Sequence, residues 1–102
     1  YIDDERFCRS FVNDKFRLAK WGRLKIAQAL SFKRIPSEIT QRHLNEIDEE
    51  EYAGILENLL KTKIRSIKGK DQKEVEIKLI RCALSRGFEM QYIKQCLIRL
   101  FN

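Results

Sequence analysis

With 102 residues, 43% hydrophobic and 35% charged, the chain suits one compact domain or two very small helical units, and no apolar run approaches a membrane span. A formal charge of +6 and a pI near 9.4 favour a polyanionic partner: nucleic acid, an acidic protein surface or anionic lipid. Cys8, Cys82 and Cys96 are odd in number and lack metal-type spacing, which predicts reduced cytoplasmic thiols with no metal and no cofactor. The opening residue is Tyr1 rather than Met and no signal-peptide pattern follows, so the sequence reads as a fragment or a chain with an unresolved start.

Few glycines and a single proline predict long helices with short connections. The first helix is expected from Asp3 to Leu18, with Asp3, Asp4 and Glu5 at its positive end. Phe7, Cys8, Phe11, Val12 and Leu18 recur at roughly helical spacing as its buried stripe. Trp21-Gly22 interrupts the pattern, and a second helix from Arg23 to Lys33 buries Ile26, Ala27 and Leu30. Pro36 precedes a third helix, Ser37 to Ile47, with Ile39, His43 and Ile47 on one face and Leu44 beside them. Asp48 and Glu51 stand in capping-box order before a fourth helix, whose stripe of Tyr52, Leu56, Leu59, Leu60, Ile64 and Ile67 carries it to Ile64 or beyond. After the flexible Lys68-Gly69-Lys70, Asp71 and Glu74 repeat that cap for a fifth helix carrying Val75, Leu79, Ile80 and Ala83. Gly87 ends it as a left-handed cap. The last helix holds Ile93, Cys96, Leu97 and Leu100, with Phe101 at its edge.

The two halves repeat. Ile35 can be laid over Phe88, Leu44 over Leu97, His43 over Cys96 and Ala29 over Cys82, with Phe7 and Phe11 over Tyr52 and Leu56. The fold class is therefore all-α, six helices in tandem three-helix repeats, over residues 1–47 and 48–102, forming an elongated curved array.

Charge is distributed unevenly. Lys15, Arg17, Lys20, Arg23, Lys25, Lys33 and Arg34 fall in a twenty-residue stretch without one acid, around Trp21. Lys63, Arg65, Lys68 and Lys70 make a second basic segment at the same topological place in the second unit. Such segments can neutralise phosphates, or they can be solvated faces, with Trp21 filling the core. The expected contact residues are Lys15, Arg17, Lys20, Arg23, Lys25 and Arg34, with Lys63, Arg65, Lys68 and Lys70. Some of Lys20, Arg23 and Lys25 should project from a helix end, so that changing all three to Glu leaves the fold intact. No row of exposed aromatics is evident, so binding to single-stranded DNA alone should be weak and salt-dependent. The sequence offers no catalytic set: His43 reads as a packing residue, and Asp48 to Glu51 as a helix start.

The run Tyr1-Ile2-Asp3-Asp4-Glu5-Arg6-Phe7 with Phe11-Val12, then Trp21-Gly22 and Ile26, and the ending Ser85-Arg86-Gly87-Phe88 with Ile93 and Leu97 resemble the RecX family, bacterial regulators of the RecA recombinase. The resemblance spans nearly the whole chain and implies tandem three-helix repeats, of which these would be the last two. It implies a non-enzymatic, cytoplasmic, monomeric modulator. Such a protein binds the RecA filament on single-stranded DNA and inhibits recombinase activity in DNA repair, recombination and the SOS response. Arg34 stands where the family usually has a glycine before the third helix, and Lys20 where it has one before the aromatic. The alternative is a helix-turn-helix reader of duplex DNA, weakened by Glu38 and Glu89 at the starts of the would-be recognition helices.

Overall fold

Local caps set where each helix begins. In the computed structural model, which describes residues 3–101, α1 (Asp4–Arg17), α2 (Arg23–Phe32), α3 (Ser37–Asn45), α4 (Glu49–Ile64), α5 (Gln72–Ser85) and α6 (Met90–Phe101) account for all regular structure. The Tyr1-Ile2 part of the motif lies outside these residues. The Asp3 carboxylate accepts from the N–H groups of Glu5 and Arg6, Asp48 from Glu51, and Asp71 from Glu74. At Asp71 the Glu74 carboxylate also reaches back, accepting from the N–H of Lys70, the residue before the cap, at 3.2 Å. Glu51 does not reach back in the same way; it pairs with Arg17 of α1. The first helix is one residue shorter at each end than expected, with Asp3 and Leu18 as caps. The second ends at Phe32 and the third at Asn45, before the extended Asp48 that opens α4.

The helices pack in two mutually touching sets, α1 with α2 and α3, and α4 with α5 and α6. One continuous core runs through both, from Cys8, Val12 and Phe16 through Ile26 and Leu30 to Tyr52, Leu56, Leu79, Phe88 and Ile93. The molecule is elongated, 54 × 23 × 20 Å.

The turns α2–α3 and α5–α6 are built alike. Arg34 and Gly87 have φ of 62° and 90°, and the following residues Ile35 and Phe88 donate back to Leu30 and Ala83 in the Schellman pattern. Their surroundings differ. Arg34 is exposed, whereas Gly87 is buried against α2: a Cβ there would lie 2.4 Å from the Lys25 amide nitrogen. A Cβ on Gly22 would likewise meet the Gly87 carbonyl at 2.4 Å.

That close approach joins the two sets. Gly22 has no side chain with which to cap α2, and the other half supplies the acceptors. The Gly22 N–H donates to the Arg86 carbonyl at 2.6 Å and the Leu24 N–H to the Gly87 carbonyl at 3.0 Å. The Arg23 N–H donates to the Tyr52 hydroxyl at 2.9 Å. Three donors that a helix start leaves unmet are thus satisfied by a distant part of the chain.

Gly87→Ala is expected to destabilise the protein by about 2 kcal/mol or more, because it adds left-handed strain to a backbone collision. Arg34→Gly relieves the same strain where nothing approaches, and should stabilise by up to about 1 kcal/mol. Urea unfolding of both variants checks this; a neutral Gly87→Ala would contradict the close approach.

Candidate nucleic-acid interface

Phe7 and Phe11 lie one turn apart on α1, and the α1–α2 connection folds Trp21 against them. The ring centroids are 5.8 Å apart for Phe7–Phe11 and 6.5 Å for Phe11–Trp21, and all three rings are only half-buried. Three ammonium groups sit over this row. Lys15 Nζ is 4.9 Å from the Trp21 centroid and 5.6 Å from Phe11, and Lys25 Nζ is 4.5 Å from Trp21. Lys33 Nζ is 5.9 Å from Phe7 and 5.8 Å from Phe11. Each contact contributes about 0.5–1 kcal/mol at an exposed site, enough to bias a long side chain without removing it from water. None of the three lysines makes an ion pair among the described residues. No row of fully exposed aromatics forms among the described residues, but Phe7 and Phe11, read as part of a buried stripe, are only partly buried and lie beside a partly buried Trp21.

Arg17 and Arg23, also expected as contacts, are engaged by partners within the chain, Arg17 at the surface and Arg23 below it. Arg17 forms a two-point pair with Glu51, at 2.8 and 3.0 Å, and donates to Asn13. Arg23 is more deeply placed, its side chain 14% exposed. Its guanidinium lies 4.0 Å over the Tyr52 ring and donates to the Leu44 carbonyl, the Tyr92 hydroxyl and the Glu49 carboxylate, with Glu89 at 3.8 Å. Tyr52 is fully buried and donates to the Glu89 carboxylate; burial, then that carboxylate, pushes its phenol far above the ordinary range. Arg23 therefore belongs to the joint between the halves. Replacing Lys20, Arg23 and Lys25 together by Glu would not leave the fold intact, because a carboxylate in place of the Arg23 guanidinium would face Glu49 and Glu89.

Lys20 takes a left-handed conformation at φ 59° and lines a groove of about 320 Å³ with Leu18, Ala19, Leu59, Thr62 and Arg86. Arg86 fixes this connection by donating to the Ala19 carbonyl at 2.7 Å. Because Thr62 immediately precedes Lys63, the groove brings the first basic stretch to the start of the second. Lys63, Arg65, Lys68 and Lys70 are exposed along the end of α4 and the connection to α5, and Arg34 is exposed at its turn. Sequence reasoning did not select Lys33 or Arg86 as contacts. Lys33 caps the end of α2 and belongs to the same acid-free stretch as Lys15 and Lys25, which is the signal that could have found it.

His43 is buried, with Nε2 2.8 Å from Glu5 and Nδ1 3.2 Å from Glu46, and Arg42 binds the other Glu5 oxygen at 2.8 Å. The contact with His43, reinforced by Arg42, holds the Glu5 carboxyl below the usual carboxylate range. The set ties α1 to α3. Cys8 and Cys96 are buried beside backbone carbonyls, and burial raises both thiols. No group of three or more potential metal ligands occurs among the described residues.

A family model described as RecX, second three-helix domain, matches residues 3–44, which span α1, α2 and nearly all of α3. Over 99% of its length the chain is 34% identical to a regulatory protein RecX of Prosthecochloris aestuarii and 32% identical to one of Chlorobium limicola. It covers 64% and 62% of those two proteins, respectively. A regulatory protein RecX of Clostridium tetani is 30% identical over 98% of the chain, which covers 46% of it. The chain thus spans less than two thirds of the length of these curated relatives. No solved structure matches it significantly.

The different placements of neighbouring cations predict different costs. Arg23→Ala should destabilise by about 2 kcal/mol or more, since it removes the stacking on Tyr52, the hydrogen bonds to the Leu44 carbonyl and the Tyr92 hydroxyl, and the cation beside the Glu89 carboxylate. Lys25→Ala should cost about 1 kcal/mol or less. Thermal unfolding of both variants measures the difference, and equal costs would contradict these placements.

Proposed function

We propose that the chain, as a member of the RecX family of regulatory proteins, acts as a non-enzymatic regulator binding the RecA filament on single-stranded DNA and inhibiting recombinase activity. Residues 1–47 and 48–102 serve as the second and third three-helix repeats of such a regulator, in the cytoplasm. The observation that carries this reading is that Lys15, Lys25 and Lys33, all from the acid-free stretch 15–34, stand over aromatic rings without an ion pair among the described residues. Cations held in this way present charge to a phosphate backbone without first giving up a carboxylate partner.

Lys20, Arg34, Lys63, Arg65, Lys68 and Lys70 supply further exposed or half-exposed charge, so an elongated body of 54 Å could meet an extended polyanion at more than one place. Reading duplex DNA with α3 or α6 is less favoured. Glu38 is exposed in the first turn of α3, where it would face phosphates, and Glu89 before α6 is turned inward to Tyr52 and Arg23.

The test is RecA ATPase on single-stranded DNA with the parent chain and with Lys15, Lys25 and Lys33 all changed to Glu. The variant should remain folded, losing about 3 kcal/mol if each of the three lysines gains about 1 kcal/mol from the rings. The concentration needed for half-inhibition should rise at least tenfold. A folded variant that inhibits like the parent would remove this face from the function.

A further inference from the structure

We infer that the Phe7–Phe11–Trp21 row is a base-stacking surface for single-stranded nucleic acid, with Lys15, Lys25 and Lys33 taking the adjoining phosphates. The inference rests on the nucleic-acid part of the function proposed above, and it adds direct contact with unpaired bases, made without RecA. Two observations carry it.

The first is that Phe7 and Phe11, one turn apart on α1, and Trp21 from the α1–α2 connection adjoin one another and stay only partly buried, while Phe16, Tyr52 and Phe88 fill the core. Each ring packs one side against the core and leaves its outer part open. The second is that every ring of the row has an ammonium group within 5.9 Å of its centroid. A nucleotide presents an apolar π-face and an anion one beside the other, and this surface presents an aromatic ring and a cation in the same pairing.

The pairing selects among polyanions. An acidic peptide could neutralise the lysines but would set no flat face against the rings. Duplex DNA offers phosphates, but its base faces are covered by their neighbours in the stack. An unpaired strand satisfies both halves, and bases of any identity can do so because each has a π-face. Stacking is also the component that salt does not screen, so affinity should retain a part that survives after counterion release is suppressed.

Trp21 is the sole tryptophan, so its fluorescence reports on the row directly. The experiment titrates the whole chain with an oligothymidylate, with an abasic strand of equal length and with polyglutamate, each at low salt and at about half-molar salt. The thymidylate should quench Trp21, bind at least tenfold more tightly than the abasic strand and keep measurable affinity at the higher salt. Phe11→Leu, which retains apolar packing, should lose about tenfold in thymidylate affinity while thermal unfolding shows it folded, and Phe11→Tyr should restore it.

Equal binding of thymidylate and abasic strands, stronger binding of polyglutamate, or thymidylate binding without quenching would overturn the inference. RecA ATPase inhibition is measured separately on the same parent chain. Inhibition without strand discrimination would overturn base stacking and leave the regulatory reading in place. Discrimination without inhibition would support base stacking and count against the regulatory reading.

Discussion

The arrangement of the molecule depends on one backbone contact, the start of α2 docked against the α5–α6 turn. Helix starts require acceptors for their first N–H groups, and most helices obtain one from a Ser, Thr, Asp or Asn side chain. Here Gly22 offers none, and the carbonyls of Arg86 and Gly87 and the Tyr52 hydroxyl take that place. The approach is possible because neither Gly22 nor Gly87 has a Cβ. A joint made of backbone groups has little freedom to slide, since displacing it leaves buried donors unmet. Arg23 then closes the contact laterally by reaching Leu44, Glu49, Glu89 and Tyr92 together.

The proposed binding face follows from this joint. Trp21 immediately precedes the docked Gly22, and Lys25 lies one turn into the docked helix. Fixing α2 against the second half fixes where the tryptophan meets Phe11 and where Lys25 meets the tryptophan. The same connection bears Lys20, whose left-handed backbone lets the chain leave α1 and re-enter α2 within a few residues. Arg86 and the Ala19 carbonyl hold it from the other side. Structural and binding roles are thus divided between adjacent cations: Arg23 points into the joint, whereas Lys25 gives only its backbone and Cβ to it and holds its ammonium over Trp21.

What could be read from the sequence was local. Asp48, Asp71 and Gly87 announce helix ends because caps act over three or four residues, and Leu56, Leu79 and Ile93 announce the core through helical spacing. The role of Arg23 could not be read this way. It lies in an acid-free run, and its carboxylate Glu49 is 26 residues further along the chain. Spacing likewise gave Phe7 and Phe11 to a buried stripe but did not indicate how far a neighbouring helix covers them. Trp21 reaches them only through the fold of a connection that contains a left-handed lysine. Lys33 needed that same geometry before its distance to both phenylalanines meant anything.

The central claim is that the second half caps α2 and so makes the two halves one body. Amide hydrogen exchange at Gly22, Arg23 and Leu24 tests it most directly, because all three N–H groups donate across the joint. These amides, which would exchange freely at an uncapped helix start, should be protected to a degree comparable with core amides such as that of Leu56. Exchange at the rate of an exposed helix terminus, with Leu56 still protected, would contradict the joint and the orientation of the face built on it.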